Sequence, residues 1–471
     1  MPRSVSYILR VCSALLPICL AFPAAAGTVF VDDSAVGAND GTSWFDAYTD
    51  LQTAVAATIP GDQIWVAAGT YHPTAGIDRE ATFDLTSVDA IYGGFAGWES
   101  DPSERDWVTN ETVLSGDIGL PFEFLDNSYH VVTMAGMGPL TIFDGFTITQ
   151  GNADGPGTDA YGGGFYCDGA SPLLDHVKFV ENRGFAGGAG MYDAGGMVQL
   201  SNAVFLDNQA AAGGGLYCQG SASTYANLTF VGNMATDSGG GIHVESGTPM
   251  LFNTILWANI APANPSLSVV SGSLHVDHCL VEGGLVAGCS DAGGNLDEDP
   301  QLVDVPMRDL HPAGMASPVV NTGTEVPMPL STDLDGNPRV AAGIMDMGAY
   351  EFQTSCPPAN VLYVNANVSG GTGDGSSWAN AQPDLQAAMA YLKCPGVDEI
   401  WVAAGTYRPS ASGDRTASFE LISGLAIYGG FAGGETLRSE RDWSANPTVL
   451  SGDIGAAGVD TDNSYHVVTG S

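Results

Sequence analysis

A glycine-rich motif returns every 25 or 26 residues through the middle of this chain. It reads Gly163-Gly164-Phe165-Tyr166, Ala189-Gly190-Met191-Tyr192, Gly214-Gly215-Leu216-Tyr217 and Gly240-Gly241-Ile242-His243. A second motif keeps step: Phe179-x-x-Asn182, Phe205-x-x-Asn208, Phe230-x-x-Asn233 and Leu256-x-x-Asn259. The spacings are 26, 25 and 26 in both tracks. Two locked tracks demand a solenoid, because each repeat can bury its apolar face only against its neighbours. Between the glycines lie short runs such as Val177 to Val180, Ser201 to Leu206 and Asn227 to Val231. They are too short for sandwich strands and too regular for a loop. Coiled into stacked rungs, each pairs with the rung above and below and turns alternate side chains inward. The expected fold is an all-β parallel β-helix, with glycine at corners that need positive φ.

Counting back three residues from each Phe-type position gives a column of His176, Asn202, Asn227, Asn253 and, one repeat on, His278. Polar side chains stacked at a corner can bond to the corner backbone and to one another. That accounts for Asn at a strand position it otherwise disfavours. Phe179, Phe205 and Phe230 are expected to stack in the interior. Both columns read as structural.

A larger repeat overlies the small one. Ile64 to Tyr71 recurs as Ile400 to Tyr407, Ile91 to Gly97 as Ile427 to Gly433, and Arg105-Asp106-Trp107 as Arg441-Asp442-Trp443. Ser115 to Gly119 recurs as Ser451 to Gly455, and Asp126 to Thr133 as Asp462 to Thr469, at a constant offset of 336. The chain therefore divides into a module over 28–353, a linker over 354–360, and the first part of a second module over 361–471. The second copy stops after a strand that has further rungs beneath it in the first, which predicts an incomplete solenoid with open strand edges. Each module opens with a short strand and then a helical stretch, Leu51 to Ala57 or Leu385 to Leu392. Leu51 and Val55 share one face at spacing four. This stretch is expected to cap the apolar end of the solenoid, or else to pack beside it. Recurring Arg-Asp-Trp predicts a salt bridge beneath an aromatic lid, and His130 and His466 occupy matching structural places.

The 53 acidic residues against 13 basic ones give a formal net charge of −40. Such a surface repels nucleic acid and anionic membranes, and argues against tight binding of polyanions unless a divalent cation bridges them. Residues 1–26 have the form of a secretory signal: Arg3 and Arg10, an apolar run from Val11 to Phe22 too short to span a bilayer, and Ala24-Ala25-Ala26 for cleavage. No later segment looks transmembrane. Six cysteines remain after the signal, and an exported chain permits disulfides. Cys167 and Cys218 hold the same rung position two rungs apart, about 10 Å, too far for a bridge. Cys279 with Cys289 is a plausible local bridge, and Cys356 with Cys394 could tie the linker to the second module.

The alternation of Gly-Gly-x-hydrophobic with Phe-x-x-Asn resembles the repeats of chlamydial polymorphic outer-membrane proteins. Thr332-Asp333-Leu334-Asp335-Gly336-Asn337-Pro338-Arg339, followed by Asp346-Met347-Gly348-Ala349-Tyr350-Glu351, resembles the closing motif of bacterial surface proteins with a choice-of-anchor domain. The resemblance implies the right-handed β-helix of the pectin-lyase superfamily, and an extracellular or cell-surface, adhesin-like role. No C-terminal β-barrel of the chlamydial kind is visible.

Carbohydrate enzymes on such a scaffold place carboxylates on an outward face of adjacent rungs. A lyase adds calcium ligands and an Arg or Lys base. The candidates are Arg183 as base near Asp207, with Lys178 close by. Asp175 and Asp277, four rungs apart, are about 19 Å from each other, and no Asp–Asp pair is evident in the regular rungs. Asp333-x-Asp335-x-Asn337 has the alternating oxygens that begin a calcium loop, but residue 344 is isoleucine where an EF-hand needs glutamate; Asp-Gly-Asn-Pro is equally a plain turn. The expected function is non-catalytic: an exported solenoid contacting a polysaccharide, a matrix component or a cell surface. The alternatives are a polysaccharide lyase or glycoside hydrolase, and a structural surface component.

Overall fold

The computed structural model describes residues 27–470 except 137–140, 329, 342, 354–359, 392–396, 411–413 and 422–425. Residues 1–26, expected to be a secretory signal, residues 354–359 of the expected linker, and with them Cys356 and Cys394, lie outside the described residues.

The chain winds into a right-handed parallel β-helix. One long sheet of 14 strands takes in strands from Thr28–Val31 to Cys289–Gly293. Its best-formed rungs are Ile142–Thr149, Leu173–Val180, Gln199–Leu206 and Thr224–Val231. A seven-stranded sheet takes in Phe165–Asp168, Met191–Ala194, Leu216–Ser221 and Ile242–Gly247. A four-stranded sheet is built from Asn152–Ala153, Arg183–Gly184, Gln209–Ala212 and Met234–Ser238. Pairing between rungs is parallel and in register, so that Phe179, Phe205 and Phe230 are direct partners. Their rings stack inside the solenoid at 4.4 and 4.3 Å between centroids. Helix Leu51–Ala57, capped by Asp50, packs Leu51 and Ala54 onto the first rungs and closes the apolar end of the core.

The asparagine ladder lies on the other track from the one expected. Asn182, Asn208, Asn233 and Asn259 are buried, and each of the first three donates Nδ2–H to Oδ1 of the next at 2.9–3.1 Å. The same amides donate to strand carbonyls of the rung before, at Ile148, Phe179, Phe205 and Phe230. Each Oδ1 of the last three also accepts the backbone N–H of the preceding asparagine. Every buried donor at this corner thus finds an acceptor.

The column at His176, Asn202, Asn227, Asn253 and His278 does something else. All five have φ between 46 and 56°. A left-handed residue in mid-strand turns its side chain away from the interior, and Asn tolerates that conformation better than most residues. Of these, His176, Asn227 and Asn253 reach a strap, drawn from residues 296–353, that runs back over the outside of the long sheet. Asn227 donates to the Asp346 carbonyl and Asn253 to that of Thr324. Asn202 bonds sideways to Asp175. Only Asn253 reaches another member of the column, Asn227, at 3.4 Å. Beneath the strap, Val204, Leu206 and Val231 pack on Leu310, Leu334 and Ala349. Strands Gln199–Leu206 and Thr224–Val231 are therefore buried on both faces, which explains their near-continuous apolar runs.

The strap is knotted by Arg339, buried and donating to the carbonyls of Asp346, Gly348 and Ala349. The second copy repeats the opening elements: strands Val361–Val364, Glu399–Ala403 and Ala426–Phe431, and helix Leu385–Ala390. Among the described residues no helix is long and apolar enough to cross a membrane.

Candidate functional site

Where the strap crosses the long sheet it leaves a cleft of about 570 Å³. Two carboxylates and an imidazole meet there. Asp144 and Asp175 are direct partners on adjacent strands. His176 follows Asp175, and its left-handed backbone swings the ring over the pair. Its Nδ1 lies 2.9 Å from Asp144 Oδ1 and 3.5 Å from Asp175 Oδ2, while Nε2 is 3.2 Å from Thr332 Oγ1 of the strap. Arg105 forms an ion pair with the other oxygen of Asp144. Asp175 Oδ1 accepts from Ser201 Oγ at 2.8 Å and Asn202 Nδ2 at 2.9 Å. Trp107 closes the group: its ring lies 4.2 Å from that of His176, Arg105 sits over it at 4.9 Å, and its indole N–H donates to the Leu334 carbonyl.

The charges settle one another. Burial opposes ionisation of Asp144, but His176 and Arg105 outweigh it and hold the carboxyl below its ordinary range. Burial pushes Asp175 up, His176 opposing this and the Asp144 charge adding to it. Burial also opposes the charge on His176, yet Asp144 and Asp175 keep the imidazole above its ordinary value. The imidazole is thus held between two carboxyl groups, one of them shared with a guanidinium.

Among the described residues, Asp144, Asp175 and His176 offer ligand atoms that lie within 4.8 Å of one another and could hold one metal ion. The donor set does not suit calcium, which takes six to eight oxygens. Any cation here would also sit beside the Arg105 guanidinium.

This carboxylate pair was missed in the sequence because Asp144 stands in the rung before the regular repeat. It precedes Asp175 by 31 residues rather than 25 or 26. The signal was present in the matching strings Phe143-Asp144-Gly145-Phe146 and Leu174-Asp175-His176-Val177.

The other candidates are scattered. Asp207 pairs with Arg308 at 2.8 Å, and Arg308 also meets Glu181. Arg183 lies on a different sheet, its guanidinium 3.5 Å from the centroid of the Phe124 ring. Arg183 and Asp207, expected near each other, thus each have a different partner. Lys178 is 3.7 Å from Glu111 at the surface. Asp333 uses its carboxylate to accept the backbone N–H groups of Asp335, Asn337 and Glu351. Asp335 pairs with His311 at 2.6 Å. In the Asp333, Asp335 and Asn337 stretch, Asp333 thus caps the turn while Asp335 is paired with His311. Cys279 and Cys289 are free thiols. Cys279 faces the core, with Sγ 3.4 Å from the Thr254 amide nitrogen, and Cys289 sits across from Leu274.

A second concavity, of about 720 Å³, lies along the four-stranded sheet. Asn152, Asp154, Arg183, Phe185, Gln209 and Asp237 line it. Asn152, Arg183, Gln209 and Met234 are register partners, so the groove crosses four rungs, about 14 Å. Phe185 is 73% exposed within it.

No protein-family model matches the chain. No curated protein matches it. Among solved structures, it is similar to the crystal structure of pectate lyase Pel9A, with a TM-score of 0.40 and 14% identity, over 70% of this chain and 97% of that one. At that distance the likeness says nothing about chemistry.

Proposed function

We propose that this chain is a non-catalytic binding solenoid, exported to the cell exterior, whose four-rung groove holds an extended neutral polysaccharide. The observation that carries the reading is the groove itself: an open trough along the solenoid axis, with an exposed phenylalanine between polar side chains that can bond hydroxyls. Sugars are bound by this combination of an apolar face and a few directed polar groups. The net charge of −40 argues for a neutral rather than a polyanionic chain. The saturation of the Asp144 cluster supports the non-catalytic part. Asp144 is held by Arg105 and His176, and Asp175 by Ser201 and Asn202, which leaves neither poised toward a substrate proton.

Affinity electrophoresis in gels cast with neutral polysaccharides and with polyuronates, with and without EDTA, tests this. Retardation in neutral gels, insensitive to EDTA and weakened in Gln209→Ala, is the expected result. Size-exclusion chromatography of the polysaccharides should show unchanged chain length.

One observation favours a second reading as a glycoside hydrolase. Asp144 and Asp175 are adjacent carboxyls whose acidities are driven apart, as in an acid–base pair. Polysaccharide shortening that disappears in Asp175→Asn would establish that reading in place of the first.

A further inference from the structure

The loop between Gly116 and Asn127 exists twice in this chain, on the same frame with different tips. In the first copy the Leu120 amide donates to Asp126 Oδ2 at 2.8 Å, and the Phe122 amide lies 3.2 Å from both Asp117 oxygens. In the second, Ala456 donates to Asp462 Oδ2 at 2.8 Å and Gly458 lies 3.3–3.4 Å from the Asp453 oxygens. A short 3-10 turn follows in each, Phe124–Asp126 and Asp460–Asp462. The frame therefore does not depend on what the tip carries.

The tips differ in kind. Leu120-Pro121-Phe122-Glu123-Phe124-Leu125 stands where the second copy has Ala456-Ala457-Gly458-Val459-Asp460-Thr461. The pivotal position has φ 67° at Phe122 and 78° at Gly458. Glycine adopts that backbone freely, whereas for a bulky residue it is a genuine outlier. Phe122 is nonetheless 83% exposed, and Leu120 and Leu125 beside it are also exposed. Packing therefore does not explain the strained phenylalanine. Strain of this kind is stored where a side chain has work to do at a site.

The tip adjoins the groove. The Phe124 carbonyl accepts from Asn152 Nδ2 at 2.7 Å, and its ring lies under Arg183; both partners line the trough. Resting on the polysaccharide reading above, we infer that the loop carrying Leu120, Phe122 and Leu125 is the apolar wall at one end of the groove. Phe122 is the platform on which one pyranose ring of a neutral glycan chain stacks. A pyranose presents a face of C–H groups to an aromatic ring and directs its hydroxyls outward, toward Arg183 and Gln209. The same loop in the second copy, with glycine at the pivot, lacks this subsite.

The test uses the full chain with a neutral polysaccharide that retards it in gels. Phe122→Gly reproduces the second copy's residue and relieves the strain, so it should fold with an unchanged or raised melting temperature. It should bind about tenfold more weakly. Phe122→Trp should bind and show a shift of its emission on titration with the polysaccharide, measured against the wild-type signal. If Gln209→Ala weakens binding while Phe122→Gly binds within twofold of the wild type and Phe122→Trp shows no shift, the loop inference is overturned and the groove reading stands. If the wild-type chain binds no neutral polysaccharide, both fall.

Discussion

The two copies of the repeated segment begin alike and end in different surroundings. Trp65 stacks on Phe95 at 4.8 Å, and Trp401 on Phe431 at the same distance. Trp44 donates to the Glu99 carbonyl and Trp378 to that of Glu435. Arg79 donates to Asn127 and Arg415 to Asn463, each over its tyrosine. These contacts lie within the repeated segment and depend on nothing else. Contacts that need the next rung or the strap diverge. Leu114 is fully buried and Leu450 is 37% exposed. Arg105 pairs with Asp144, whereas Arg441 reaches the Gly429 carbonyl at 3.4 Å. Trp107 is bonded to the strap, whereas Trp443 is 69% exposed. Among the described residues, identical side chains thus gain an ion pair and a strap contact in the first copy, where the neighbouring rung supplies Asp144.

The largest effect should come from breaking the contact that most separates the copies. Asp144→Ala leaves Arg105 and His176 without their shared carboxylate in a buried site, and should cost about 3–5 kcal/mol in denaturant unfolding. A loss below about 1 kcal/mol would mean the cluster is solvated and the contrast with Arg441 superficial. Next comes the asparagine ladder. Asn208→Ala orphans the Asn182 amides and should cost about 1–3 kcal/mol.

The strap provides a pH test. Bonding to Asp335 raises His311 to about 9, with Asp309 adding and burial opposing. A histidine raised in the folded state contributes fully below its ordinary value of about 6.5, and that contribution is lost as pH rises through the folded value. Calorimetric stability of the first module should therefore fall between about pH 6.5 and pH 9, and His311→Gln should flatten the slope in that window. The smallest effect belongs to the second copy. Arg441→Ala should change stability by less than about 0.5 kcal/mol, in line with other half-exposed sites. A loss like that of Asp144→Ala would show that the second copy is completed by contacts of its own.

The Asp–His cluster was half legible in the sequence. Asp175 and His176 stood in a regular column, and Arg105 and Trp107 in a duplicated motif. Their convergence was not legible, because Asp144 lies outside the periodic rungs and Thr332 arrives from 156 residues further on. The expected salt bridge under an aromatic lid did form in the first copy. Its acid is Asp144 and not Asp106, which instead caps a turn by accepting from Val108 and Thr109.

What the sequence by itself determined is the rung. Period, glycine corners, inward phenylalanines and helix caps are properties of one repeat and its nearest neighbour, and neighbour contacts repeat wherever the motif repeats. Which asparagine track forms the ladder was decided only in three dimensions. Both tracks have the same period, and a left-handed φ sends one of them outward while the other stays inside. The strap, the saturated carboxylates beneath it and the strained Phe122 beside the groove were decided there too. Each depends on where a non-repeating segment comes to lie on a repeating surface, and periodicity carries no information about that.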